Sequence, residues 1–305
     1  MVLPILVNVL LPVFVVAGIS AIAQRQLRLD VQSFSKAAFY VFSPAMVIDA
    51  LANSDVSGAE FGQLALAYVL TILVLWGLGE IASRLLRLEA GTRAAFLAPI
   101  LLPNTGNYGL PVNLLAFGPA GLARAALVVT VNSLVRSTLG VFIAARGQAA
   151  SPRESLKRVL SVPVLYAALI GLVVNVTGLR LPEPILKAAN VMGQGLVPAS
   201  LLVLGAQVLW SLEARRRPAK TGPLAIATMG RLVVAPLLAF AIGDLVGLEG
   251  LTQKVLTLES ATPAAVMSLV LATEFDTDVP FAALAVLVTT LVSLVTVTAW
   301  LVWLM

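Results

Sequence analysis

The chain has 305 residues, 59% hydrophobic and 11% charged, against roughly 25% charged in an average soluble domain. With a mean hydropathy of +0.99 it carries more apolar surface than a water-soluble globule can bury, which leaves lipid as its solvent. It has no Cys and no His, which excludes disulfides, thiol chemistry, imidazole proton relays and His-Glu-x-x-His metalloprotease chemistry, so any proton coupling falls to carboxylates.

Apolar runs long enough to cross a hydrocarbon core of about 30 Å fall at 3–23, 32–52, 62–86, 91–116, 121–144, 159–178, 184–210, 223–246, 252–273 and 279–304. The pattern predicts an all-α integral membrane protein of ten transmembrane helices. Met1-Val2-Leu3-Pro4-Ile5 lacks a basic leader, so the first run is expected to stay as a helix. The division expected is 1–144, a cytoplasmic linker at 145–158, and 159–305.

The net charge of +5 is better explained by membrane topology than by a nucleic-acid partner. Fourteen of the 20 Lys and Arg fall in alternate connectors, from Arg25, Arg28 and Lys36 through Arg84, Arg87 and Arg93 and the linker to Arg215-Arg216-Arg217 and Lys220. Four, Arg124, Arg180, Lys187 and Lys254, fall in the others. Cytoplasmic connectors retain basic residues, so both termini are expected outside. Five spans per half is odd, and a duplicated half would then sit upside down, giving a five-plus-five inverted repeat. Pro44 in span two matches Pro198 in span seven, and Pro103 in span four matches Pro263 in span nine.

Span four reads Pro99-Ile100-Leu101-Leu102-Pro103-Asn104-Thr105-Gly106-Asn107-Tyr108-Gly109-Leu110-Pro111. Its prolines remove backbone donors and its glycines ease unwinding, so the helix is expected to break. The freed backbone must be buried in protein or line a wet cavity, where Asn104, Thr105, Asn107 and Tyr108 would meet a substrate. Span five adds Asn132, one turn before Arg136 and on the same face. Span nine adds Glu259, Thr262, Pro263 and Ser268. A carboxylate as deep as Glu259 needs an ionic partner, a bound cation or a proton. Arg231 in span eight is the obvious ionic partner. Arg136 and Arg231 either snorkel or pair structurally, or they contact an anionic substrate. Asp49, the Glu80 and Arg84 pair, and the acidic run Glu274, Asp276 and Asp278 are expected at the interfaces.

No Gly-rich phosphate loop ending in Gly-Lys-Ser/Thr occurs, so the chain has no ATP motor of its own, and enzyme signatures are missing. A secondary transporter is expected, with no catalytic residue and no cofactor. A membrane sensor or a channel on the same scaffold are the other readings.

Leu102-Pro103-Asn104-Thr105 with Gly109-Leu110-Pro111 resembles the fourth helix of the auxin efflux carrier family, which has plant and bacterial members. Gly230-Arg231-Leu232 with Pro236, Glu259-Ser260-Ala261-Thr262-Pro263 and Val270-Leu271-Ala272-Thr273-Glu274-Phe275 resemble its helices eight and nine. The resemblance implies a scaffold domain, a transport domain in which broken helices four and nine cross at Pro103 and Pro263, and a bacterial inner-membrane location. It implies a small organic anion as substrate, its carboxylate held by Asn104 with Asn132 nearby, and leaves open whether a homodimer forms through the scaffold. Ala264 stands where plant carriers have a polar residue, and their helix-three charge pair falls on apolar surroundings near Gly62 and Leu66, so auxin is not the expected substrate. Glu259 is also similar to the sodium-site glutamate of the bile acid sodium symporters, which implies Na+ or H+ as coupling ion.

Overall fold

The structure is a computed structural model that describes residues 2–27, 29–52, 56–140, 143, 163–177, 179, 181–214 and 221–305. The 145–158 linker, Arg28, Arg180 and the Arg215 to Lys220 cluster lie outside the described residues. Among those described the architecture is helical, and the one strand-like pairing joins Pro103 to Ala264.

In chain order the helices are α1 (Val2–Leu27), α2 (Val31–Leu51), α3 (Gly58–Leu85), α4 (Ala90–Leu101), α5 (105–117), α6 (119–140), α7 (Pro163–Thr177), α8 (Glu183–Leu212), α9 (Thr221–Val246), α10 (Gly250–Ser260), α11 (Met267–Glu274) and α12 (Val279–Leu304). Seven runs among the described residues are long and apolar enough to cross a membrane unaided: α1, α2, α3, Thr105–Val135, α8, α9 and α12.

The run Thr105–Val135 is not one straight rod. Gly118 has φ +67° and ψ −162°, a conformation only glycine adopts readily, and Pro119 follows it. Asn132 Nδ2 reaches Thr105 Oγ1 at 2.8 Å, whereas 27 residues of straight helix would span about 40 Å. The chain therefore doubles back at Gly118, and α5 and α6 are separate helices.

Caps explain several ends. Asp30 accepts from the amides of Gln32 and Ser33 at 3.1 and 3.3 Å before α2, Ser57 from Glu60 at 3.1 Å before α3, and Asp278 from Phe281 at 3.1 Å before α12. The α9 end closes on Gly247 in the left-handed region, φ +84°.

Four of the five wide, π-type turns among the described residues stand two residues before a proline; the fifth, Arg136–Gly140, does not. Leu6–Leu10 precedes Pro12, Ala38–Phe42 precedes Pro44, Thr105–Gly109 precedes Pro111 and Gly230–Val234 precedes Pro236. A proline ring clashes with the carbonyl four residues back and offers it no hydrogen, and a wider turn relieves both problems. At Pro236 the released carbonyl is that of Leu232, which accepts from Trp300 Nε1 at 3.0 Å.

The helices pack as two groups. α1, α2, α7 and α8 contact one another closely, and α3 to α6 pack with α9 to α12. Each group draws on both halves of the sequence. Without a hydrophobic drive between helices in lipid, close approach matters, and at Gly205 a Cβ would overlap the backbone of α1 at Ala17.

The interfacial charges differ in one respect from expectation. Glu80 pairs with Arg93 at the start of α4 rather than with Arg84, which is exposed, because the short 86–89 turn brings α4 back beside α3. Asp49 accepts from Asn190 at 2.8 Å, and Asp278 accepts from Thr92 at 3.0 Å.

Candidate functional site

Pro103 and Pro263 each lack an N–H, and near both the helix stops. α4 ends at Leu101 and α5 starts at Thr105; α10 ends at Ser260 and α11 starts at Met267. The two gaps satisfy each other. Asn104 N donates to Pro263 O and Ala265 N donates to Leu102 O, both at 2.8 Å, in antiparallel sense. Ala264 N donates to Thr289 Oγ1 at 3.1 Å. This pairing buries irregular backbone that lipid could not satisfy.

On one side of the pairing lies a cavity of about 140 Å³. The start of α5 lines it with Asn104, Thr105, Gly106 and Asn107, and the start of α11 with Ala265, Val266 and Met267. The amides of Thr105, Gly106 and Asn107 are first-turn donors with no acceptor in their own helix. α6 contributes Asn132, Ser133 and Arg136; α2 contributes Phe39 and Ser43; α8 contributes Ser200 and Gln207. No acidic side chain lines the cavity among the described residues. Asn132 is fixed in place, accepting from Tyr68 OH at 2.9 Å while donating to Thr105. The Arg136 guanidinium sits 5.5 Å from the Phe39 ring centroid, in cation–π contact.

Tyr108, Thr262 and Ser268 are not on this wall. Tyr108 is fully buried in an apolar cluster, edge-on to Phe14 at 6.1 Å and accepting from Ser293 at 3.1 Å. Thr262 donates to the carbonyl of Glu259 at 2.7 Å, and Ser268, on α11, is fully buried. One position past Asn107, Tyr108 projects from a different side of the helix and does not line the cavity.

Glu259 also lies off the cavity, with no exposed surface. Its Oε1 accepts from Asn113 Nδ2 at 2.8 Å, and its carboxylate lies against Gly109, where a Cβ would overlap it. Among the described residues, Glu259 Oε2 and Asn113 Oδ1 have no hydrogen-bond partner. Among the described residues no three acidic side chains gather for a metal.

Arg231, one of the partners the sequence left open for Glu259, does not pair with it among the described residues. Its guanidinium donates to the carbonyl of Ile100 at 2.8 Å and to that of Ser260, while Glu259 points the other way, into α5. Sequence reasoning also missed Asn113, although an amide one turn after Gly109 in an apolar run was a visible signal. Phe39, Ser200 and Gln207 carried none.

A family model described as membrane transport protein matches residues 4–301. An uncharacterized transporter of Methanocaldococcus jannaschii is 31% identical over 205 residues, 66% of this chain and 65% of that protein, so the match spans just under two thirds of that relative. An uncharacterized transporter of Methanothermobacter thermautotrophicus is 28% identical over 277 residues, 89% of this chain and 88% of that protein. With a family match over nearly its whole length and several helices apolar enough to cross a bilayer, the chain belongs to the membrane transport protein family, that of the auxin efflux carriers, and is a multi-pass membrane protein.

Proposed function

We propose that the protein is a secondary active transporter of a small organic anion, a carboxylate, working by alternating access. The observation that carries this reading is the charge pattern of the cavity. Two helix N-termini, each worth about half a positive charge, and Arg136 face a space without acidic lining. Asn104, Asn107, Ser43 and Ser200 add neutral hydrogen-bonding groups to its wall. At about 140 Å³ it approaches the roughly 150 Å³ that accommodates benzene in an engineered apolar cavity, which favours a compact substrate.

In this reading α4 with α5 and α10 with α11 are each one broken pass, making ten passes in two inverted halves of five that cross at Pro103 and Pro263. α1, α2, α7 and α8 form the scaffold, through which two copies pair in a bacterial inner membrane. Both termini lie outside. The cavity residues Phe39, Arg136 and Gln207 then sit toward the cytoplasmic ends of their helices, so this conformation opens inward. Glu259 is the coupling group, taking up H+ or Na+ beside Asn113. It communicates with the cavity through α5, which carries Gly109, Asn113 and the first-turn amides.

Proteoliposomes loaded with small mono- and dicarboxylates test the reading: saturable flux with counterflow is expected. Tight binding without flux would make the protein a sensor, and flux without saturation or counterflow a channel. Uptake by Glu259→Gln under sodium and pH gradients tests the coupling; gradient dependence equal to wild type would remove Glu259 from that role.

A further inference from the structure

The pairing of the two broken segments has a second side. Opposite the cavity lie not helix starts but helix ends, those of α4 at Leu101 and α10 at Ser260. Arg231 reaches both. Nη1 donates to Ile100 O at 2.8 Å and Nη2 donates to Ser260 O, while the residue keeps only 1% of its surface exposed. Among the described residues it forms no ion pair with any carboxylate. A buried, unpaired guanidinium is costly, so its compensation must come from these carbonyls.

The electrostatic balance is close. Each helix C-terminus carries about half a negative charge, so two together offset about one positive charge. The forked guanidinium can serve two divergent carbonyls at once. Local structure brings it there. α9 widens into the Gly230–Val234 turn, and a Cβ at Gly230 would stand in ordinary contact with Ile100, 3.6 Å away.

We propose that Arg231 is a built-in cation for the crossing. It neutralises and ties together the C-terminal ends of α4 and α10, a role that a bound inorganic cation fills where the ends of broken helices are left open. Arg231 is thus a positioning residue: it touches no cavity atom, and holds the backbone from which Asn104 and the α5 and α11 starts project. The inference does not depend on the identity of the substrate or on whether Glu259 couples transport.

Chemical rescue tests it on the purified full chain. Arg231→Ala is expected to lower the thermal unfolding midpoint by about 10 °C. Millimolar methylguanidinium should restore at least half of that loss along a saturating curve, equimolar methylurea should not, and wild type should respond to neither. Wild-type stability in the variant, absence of rescue, or equal rescue by methylurea would overturn the proposal. If Arg231→Ala does not fold, Arg231→Lys and Arg231→Met decide: the lysine variant should be recovered folded and unfold at a higher temperature than the methionine variant. Indistinguishable behaviour of the two, including failure of both, counts against a charge-based tie.

Discussion

Asn104 and Glu259 are 155 positions apart in the chain, the first on the cavity wall at the start of α5 and the second bonded to Asn113 further along it. Asn104 faces the cavity, and its backbone is already committed, its N–H to Pro263 O and its carbonyl to the amides of Tyr108 and Gly109. Truncating the side chain therefore leaves those backbone bonds in place. Asn104→Ala should weaken carboxylate binding about tenfold, the loss of one hydrogen bond to a charged group, with little change in thermal midpoint. Undiminished affinity by calorimetry would remove Asn104 from the site. Glu259 depends instead on a single side-chain donor, Asn113. Asn113→Leu leaves a buried carboxyl without that donor and should cost about 1 to 3 kcal/mol, whereas on a Glu259→Gln background the same change should cost less. A double-mutant cycle by thermal unfolding with no coupling between the two positions would mean that the contact carries no energy.

At the scale of elements, proline controls the helices in a way the sequence displays and the partners in a way it does not. Pro103 and Pro263 were legible as breaks because a missing N–H is a local fact. That the breaks satisfy each other was not, because backbone carbonyls carry no residue identity. The same blindness hid the partners of Arg231: its depth in a span was visible, its two carbonyl acceptors were not. Tyr108 shows the limit of reading a polar run as one wall: it follows Asn107 by one position, about 100° round a helix, and its ring joins the apolar cluster instead of the cavity. Capping is more predictable, and at α2 it is pH-dependent. Hydrogen bonds from Ser33, hydroxyl and amide, hold the Asp30 carboxyl below its ordinary value of 3.8. A depressed folded-state value means the cap stabilises fully above pH 3.8 and fades as pH falls through the lower, folded value. The difference in thermal midpoint between wild type and Asp30→Ala should stay level from pH 7 to pH 5 and shrink below pH 3.8. A gap that persists unchanged to pH 3 would show that the cap does not depend on the carboxylate charge.

For the whole molecule, composition and apolar periodicity were enough to read a multi-pass helical membrane protein. They do not reveal the division into packing groups, because α1 and α2 join α7 and α8 across more than 100 residues of sequence. The proposed inward orientation of the cavity rests on the distribution of Lys and Arg, which labelling can check. The chain has no native Cys, so single cysteines report without background. A cysteine at Ala90, beside the basic turn after α3, should be protected from impermeant maleimide in intact cells. One at Glu249, before α10, should react. Both positions are exposed, so reaction of both from the same side would refute the alternate-connector topology.

The contact between Arg136 and Phe39 crosses the seam between the two packing groups, since α6 belongs to one and α2 to the other. An anion that draws the guanidinium off the ring exchanges a cross-seam attraction for one to the ligand. Occupancy of the cavity would then loosen the grip of one group on the other at the same moment that it neutralises the charge. On the proposed function, the Arg136–Phe39 contact would hold the two groups together until an anion draws the guanidinium away.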